Sequence, residues 1–460
     1  MEQENKTEAL GTGRIGKLLF QMALPAVAAQ VINLLYNMVD RMYIGHIPGI
    51  GKLALTGVGV CLPLIMIISA FAALVSMGGA PRASIHLGKG EPDKAQKTMG
   101  NCAMMLILIS VILTAVFFFF AEDLLMAFGA SENTIQYAVS YMKIYSLGTI
   151  FVQVTLGLNA FITAQGFAKT SMLTVLIGAI CNIILDPILI FGFNMGVAGA
   201  ALATILSQAI SAVWVIRFLT GKKTGLRLRS ADLRLDAKIV LPCLALGLSP
   251  FIMQSTESLI AMCFNSSLLR YGGDIAVGAM TILTSVNQFS LLPLMGLTQG
   301  AQPIISYNYG ANNTKRVKKA FLLLLTVCVS FSVLLWAAIQ LTPETFVLVF
   351  NNDPELLAFT ARALRIYMAV SCIFGVQIAC QQTFIALGNA KSSLFLALLR
   401  KIFLLIPLIY IMPFFMADKT TAVFTAEPIA DILAVITTAC MFFIQFRRSL
   451  RQMDTNAIRQ

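Results

Sequence analysis

Met104-Met105-Leu106-Ile107-Leu108-Ile109-Ser110-Val111-Ile112-Leu113-Thr114-Ala115-Val116-Phe117-Phe118-Phe119-Phe120 runs for 17 residues without a formal charge. Coiled as an α-helix at about 1.5 Å per residue, it covers about 25 Å, close to the ~30 Å of hydrocarbon in a bilayer. A second run, Phe321 to Ile339, holds 19 residues without a charge. Such segments cannot satisfy their backbone in lipid except as helices. The chain around them agrees. Of 460 residues 58% are hydrophobic and 12% charged, against roughly a quarter charged in a soluble domain. The expected class is an all-α integral membrane protein.

Moving outward from these two runs, polar punctuation divides the chain into spans near 16–39, 53–79, 98–121, 135–162, 171–193 and 196–219, and then 239–269, 275–307, 320–341, 356–386, 392–416 and 422–446. Lys and Arg gather in alternate loops, which hold 24 of the 33, and Glu122, Asp123, Glu132, Glu344, Asp353 and Glu355 occupy the loops between. The positive-inside rule accounts for the net charge of +12, and it leaves no basic stripe for nucleic acid. Both termini are expected on the cytoplasmic side of the plasma (inner) membrane, which requires an even number of spans, and twelve fits. The polar N-terminus followed by an uncleaved apolar stretch argues against a removable signal peptide. Nine cysteines lie mostly within the apolar segments without a CxxC pair, and they read as packing residues. His46 and His86 fall near loops with no second ligand at metal spacing.

The second half repeats the first at an offset of 222 residues. Between 128 and 171, nine of 44 positions are identical, among them Ile144/Ile366, Tyr145/Tyr367, Gly166/Gly388 and Lys169/Lys391, where about three would arise by chance. Six spans per repeat return the chain to its starting side. The two six-helix lobes are then related by a pseudo-two-fold axis along the membrane normal. The expected organisation is an N-terminal lobe over 1–219, a basic cytoplasmic linker over 220–238, a C-terminal lobe over 239–447 and a cytoplasmic tail over 448–460.

Polar groups in hydrocarbon cost about 2.5 to 3.5 kcal/mol for an Asp at a helix centre, so those inside spans call for a reason. In the first span Gln30, Asn33, Asn37 and Asp40 are spaced 3, 4 and 3 and share one face, above Pro25. A plain cap at the outer end, partnered by Arg41, is the alternative role for Asp40. In the fifth span Asn182 and Asp186 lie four apart, with Pro187 next. Asn159 lies between Thr155 and Thr163 on the fourth span, and Thr204 with Gln208 and Ser211 on the sixth. The second half places Glu257 between Gln254 and Asn265, with Gln288 in the eighth span and Gln377 and Gln381 in the tenth. Glu427 and Asp431 open the last span one turn apart and read as outer-interface residues, while Arg400 and Lys401 read as snorkelling towards the cytoplasm.

Leu24-Pro25-Ala26 with Gln30, Val39-Asp40-Arg41 with Ile44-Gly45, Asn182 to Pro187, Gly196 to Ala201 with Thr204, Gly300 to Gly310, and Gly388-Asn389-Ala390-Lys391 appear in the order and spacing of one family. The chain resembles the multidrug and toxic compound extrusion (MATE) transporters over essentially its whole length. That resemblance implies a V-shaped pair of six-helix lobes, and secondary active efflux of lipophilic, often cationic compounds in exchange for H+ or Na+ by alternating access. No other cofactor, no covalent chemistry and a monomer among membrane lipids are expected. By the motif match, Asp40, Asn159, Asn182, Asp186 and Thr204 form the cation-coupling site, with Na+ a candidate occupant of the Asp40/Asp186 pair. Gln30, Asn33, Asn37, Gln254, Glu257, Gln288 and Gln381 are the candidate substrate contacts. Members that use the acid matched by Glu257 pair it with an aspartate in the tenth span, where this chain has Gln377 and Gln381. A lipid-linked oligosaccharide flippase is the alternative, but it calls for a phosphate-favouring cavity, and the deep residues here are acidic and amide. An intramembrane aspartyl protease lacks support, because Gly272-Gly273-Asp274 is not GxGD and no Tyr-Asp pair precedes it.

Overall fold

The structure, a computed structural model, describes residues 4–350 and 353–459. A short helix, α1 (Glu4–Thr12), precedes α2 (Ile15–Gly45), α3 (Gly51–Gly88), α4 (Pro92–Phe119), α5 (Ala121–Ala127), α6 (Ile135–Leu147), α7 (Thr149–Ala164), α8 (Ala168–Pro187) and α9 (Gly196–Thr220). The second half contains α10 (Ala237–Gly310), α11 (Thr314–Leu341), α12 (Pro343–Leu348), α13 (Pro354–Tyr367), α14 (Phe374–Ala386), α15 (Ala390–Leu398), α16 (Ile406–Ile411) and α17 (Lys419–Arg459). Among the described residues nine helices are long and apolar enough to cross a membrane, and eleven spans result when α6 with α7 and α13 with α14 are each taken as one bent span. The 74-residue α10 supplies two spans of its own. It breaks at Gly273, whose φ of 65° and ψ of −161° lie in a region that a side chain disfavours. The total is twelve.

The 222-residue register holds far beyond the 44 positions in which identities reveal it. Gly88 and Gly310 end their helices, Pro92 and Thr314 begin the next, Phe119 and Leu341 end those, and Ala168 and Ala390 open α8 and α15. Even the bends correspond. The α6–α7 pair turns by 56° and the α13–α14 pair by 46° at matching points. At the first bend Gly148 lets α9 come close, since a Cβ there would lie 2.2 Å from Ile205 Cγ2.

Each lobe has its own apolar core, built around Phe161 and Met99 with Ile68 and Met142 in the first and around Phe264 and Phe424 in the second. A further core crosses between lobes. Leu10, Ile15, Leu18, Leu19 and Met22 pack with Ile304, Phe321, Phe384 and Phe442, so the start of the first span belongs to the core of the second lobe. The reverse exchange places Cys243 of α10 among first-lobe residues. At this end α3 and α10 meet backbone to backbone. A Cβ on Gly88 would sit 1.9 Å from the Tyr307 carbonyl oxygen, and one on Gly310 would sit 2.0 Å from that of Ile85. Gly310→Val is therefore expected to force the lobes apart here and to shorten the distance between spin labels placed at their opposite ends. Unchanged label distances would show that the contact does not hold the lobes in place.

The same end carries a clasp. The last carbonyls of a helix lack intrahelical partners, and those of α1 find them across the lobe boundary. Arg316 donates from Nη2 to the Leu10 and Gly13 oxygens at 3.1 and 2.8 Å, and Asn308 Nδ2 donates to Leu10 O at 2.8 Å. On the other side Thr7 donates to the Gln165 oxygen at 3.2 Å and Lys6 lies 4.9 Å from the Phe167 ring centroid. Arg316→Ala is expected to cost about 2 kcal/mol, since hydrogen bonds to charged groups contribute ~1.5–3 each; a lowered Tm and faster amide exchange over residues 6–13 are the readouts. The repeat of Asn308, Asn313 and Arg316 in the first lobe is His86, Glu91 and Lys94. There Lys94 Nζ at 2.7 Å and His86 Nδ1 at 2.9 Å hold the Glu91 carboxyl down to about 2.

The basic linker is anchored rather than loose. Gln165 Oε1 accepts from Thr224 Oγ1 at 2.9 Å and from the Leu226 amide at 2.8 Å, and Gln96 Nε2 donates to Asp232 at 2.9 Å. The C-terminal tail continues α17 as helix, with Met453 buried and Asp454 accepting from Thr314 at 2.6 Å.

Candidate functional site

Asp40 lies near the end of α2 and Asp186 near the end of α8, two helices packed along each other. Pro187 follows the second acid, and the chain then widens into π-helical turns over Ile188–Gly192. A proline lacks an amide hydrogen and wide turns interrupt the regular ladder, so the helix end is shaped locally by sequence. Asp186 is 0% exposed and Asp40 half-buried. Their carboxyls lie within hydrogen-bonding reach of each other. Asn182 Nδ2 donates to Asp186 Oδ1 at 3.3 Å. Asp40 Oδ1, Asp186 Oδ2 and Asn182 Oδ1 are buried without a hydrogen-bond partner.

Buried acceptors are normally satisfied, and an orphan costs about 1–3 kcal/mol, more when charged. Three such oxygens on two acids and their neighbouring amide are a donor set of the kind that suits a proton or a hard monovalent cation, since carboxylate and amide oxygens match such ions. Thr204 donates instead to the Ala200 oxygen of its own helix at 3.0 Å, while Tyr36 and Tyr141 lie within electrostatic range of Asp40. Neither tyrosine stands out in the sequence, where both read as apolar; the signal that marks Tyr36 is its position one turn before Asp40.

Asn159 does not join this cluster. Its Nδ2 donates to the Ser171 oxygen at 3.2 Å and to Ser171 Oγ at 2.9 Å, near the start of α8. It lines a cavity of about 220 Å³ together with Gln30, Asn33 and Gln254. The lining side chains are amides, hydroxyls, methionines and small apolar groups, with no basic residue among them. Gln299 and Gln302 of α10 complete the wall, and Gln30 Nε2 donates to Gln299 Oε1 at 3.1 Å across the lobe boundary. These two glutamines are legible in the sequence as a polar pair three apart in the eighth span.

The other four candidate contacts, Asn37, Glu257, Gln288 and Gln381, lie outside this lining. Asn37 is exposed and bonds back to the Asn33 oxygen at 2.7 Å, an ordinary side-chain return to its own helix. Gln288 is exposed and outside the cavity lining. Gln381 is 2% exposed because its amide ties α14 to α10 within the lobe, with Nε2 at 3.4 Å from Ser249 Oγ and 3.3 Å from Met253 Sδ.

The charged residues of the second lobe correct the sequence reading most. Glu427 and Asp431 are not outer-interface residues and Arg400 does not snorkel. Arg400 is buried between them, Nη2 at 3.0 Å from Glu427 Oε1 and Nε at 2.7 Å from Asp431 Oδ1, with its guanidinium 4.7 Å from the Phe374 ring centroid. Lys401 is likewise turned inward, with Nζ 2.7 Å from Glu257 Oε1. Both bases sit on π-helical turns over Leu399–Leu405. Burial of each charge is met by a partner of opposite sign, the condition under which buried ions persist.

Comparison with known proteins agrees with this architecture. Residues 25–188 and 250–411 each match the MatE family model. A relative described as multidrug export protein MepA, from Staphylococcus haemolyticus, is 24% identical over 432 residues, covering 94% of this chain and 93% of the relative. Among solved structures, a MATE in the bent conformation superposes with a TM-score of 0.91 at 21% identity, over 98% of this chain and 99% of that one. The MATE multidrug transporter DinF-BH, solved in complex with a ligand, superposes at 0.87 with 34% identity, over 96% and 97%. With both halves matched and the solved relatives covered end to end, this chain belongs to the MatE family of membrane transporters.

Proposed function

We propose that this protein is a secondary multidrug exporter that exchanges lipophilic, often cationic compounds for H+ or Na+. The observation that carries the reading is the Asp40/Asp186 pair, whose buried, unpartnered oxygens lie along α2 from the cavity that Gln30 and Asn33 line. The names of the relatives, one a multidrug export protein and one a MATE multidrug transporter, support the substrate class.

The basic end is taken as cytoplasmic. The contacts between α2 and α10 lie at Ala23, Val27 and Gln30, on the basic-end side of Asp40, so the conformer reads as closed inward and open outward. Two neighbouring carboxylates repel in a low-dielectric site, and a cation taken up between them removes the repulsion. Uptake from outside stabilises the α2–α8 arrangement that releases drug; loss of the cation inside restores the charged pair and favours rebinding. Met77 and Met172 line the cavity and adapt to varied apolar shapes. The absence of a basic group from that lining disfavours a phosphate-bearing lipid-linked cargo.

The test is efflux of a fluorescent lipophilic cation from proteoliposomes under an imposed H+ or Na+ gradient. Export driven by one of the two gradients is expected. Equal rates with and without either gradient would reject antiport, and movement of a lipid-linked oligosaccharide in place of the dye would favour the flippase.

A further inference from the structure

We propose that Lys401 is a built-in cation of the second lobe: its ammonium occupies the place beside Glu257 that a coupling ion would take, and so restricts cation binding to the first lobe. Gln254 and Glu257 are three residues apart on one face of α10, and Gln254 lines the cavity between the lobes. The Glu257 side chain is 47% exposed, so it is open to whatever enters the cleft. Lys401 is only 7% exposed and reaches Glu257 from inside the lobe at 2.7 Å.

Lys401 is within electrostatic range of Glu427, but its ion pair is made with Glu257. Arg400 engages both Glu427 and Asp431, and these two carboxylates neutralise it with one negative charge in excess. Glu257 is the acid left for Lys401. An ammonium taken out of water costs several kcal/mol without a partner, so the pair is kept closed by the burial of the lysine, not by the exposed acid. A metal cation approaching Glu257 from the cleft meets a carboxylate whose charge is already compensated. Among the described residues no base is ion-paired to Asp40 or Asp186 in the first lobe, where carboxylate oxygens are left unpartnered. Two lobes of one architecture thus treat an acid on a spanning helix in opposite ways, one by taking a mobile cation and the other by holding a tethered one.

The inference concerns binding alone and stands whether or not drug export is cation-driven. It is tested on the purified full chain by counting bound ²²Na+ at saturation, at alkaline pH where protons compete least. K401A is expected to bind one more Na+ per chain than the wild type, K401A/E257Q to lose that ion again, and K401R to match the wild type. A folded K401A with an unchanged count would overturn the proposal. If K401A does not fold, E257Q alone decides: a count equal to the wild type supports the tethered cation, and a lowered one shows that Glu257 binds Na+ with Lys401 present.

Discussion

Asp40→Asn and Asp186→Asn are each expected to lower gradient-driven export of a lipophilic cation by at least about tenfold, a change worth about 1.4 kcal/mol or more in the coupled step. Asparagine keeps the size of the acid and much of its hydrogen bonding, so α2 and α8 should pack as before. What it removes is the charge whose neutralisation by a cation shifts the conformational balance, and a ligand with no differential interaction with two states cannot shift them. Asp186, fully buried and supported by Asn182, is the more sensitive position. Asp40, half-buried, retains partial solvent access. Dye binding to the detergent-solubilised variants should persist, because Gln30, Asn33 and Gln254 line the cavity independently. Wild-type export in both variants would remove the acid pair from the mechanism.

The largest effect on stability is expected at Arg400. Arg400→Met leaves Glu427 and Asp431, 5% and 8% exposed, as two adjacent buried carboxylates without a base. Breaking a buried ion pair from one side costs about 3–5 kcal/mol, a large share of the ~5–15 kcal/mol available to a folded domain. A steep fall in Tm and in monodisperse yield is the expected result. Neutralising the acids as well, in R400M/E427Q/D431N, should recover much of the loss, since the penalty arises from the orphaned charges and not from the missing arginine. A triple variant no more stable than R400M would mean that Arg400 acts through packing against Phe374.

The contrast between the two lobes also explains what the sequence could and could not disclose. Spans, their number and the duplication depend on local periodicity and on fixed offsets along the chain, and Gly88/Gly310 or Ala168/Ala390 fall where the 222-residue register puts them. The first-lobe site is legible because its parts are short-range: Asn182, Asp186 and Pro187 are neighbours on one helix, and Gln30 to Asp40 form one stripe. The second-lobe network is not. Lys401 and Glu257 are 144 residues apart and Arg400 and Asp431 are 31 apart, so each charge taken alone resembles an interface residue. A buried base and a buried acid are costly separately and become acceptable only together, which is a property of the tertiary structure. Asn159 shows the opposite failure: its polar stripe on α7 meets Ser171 at the start of the 20-residue α8 and not Asp186 at that helix's other end.

The central claim is that, in the proposed antiport, cation uptake at the Asp40/Asp186 pair drives movement of drug in the opposite direction from the cavity that Gln30, Asn33 and Gln254 line. The most direct measurement is drug-evoked cation release: wild-type proteoliposomes preloaded with cation at the Asp40/Asp186 site, given a lipophilic cation on the cytoplasmic face, with proton and ²²Na+ movement followed in the opposite sense. Addition of the drug is predicted to evoke counter-movement of one of these ions in the wild type and none in D40N/D186N. Equal ion movement in both proteins, or drug transport with no ion movement in the wild type, would contradict it.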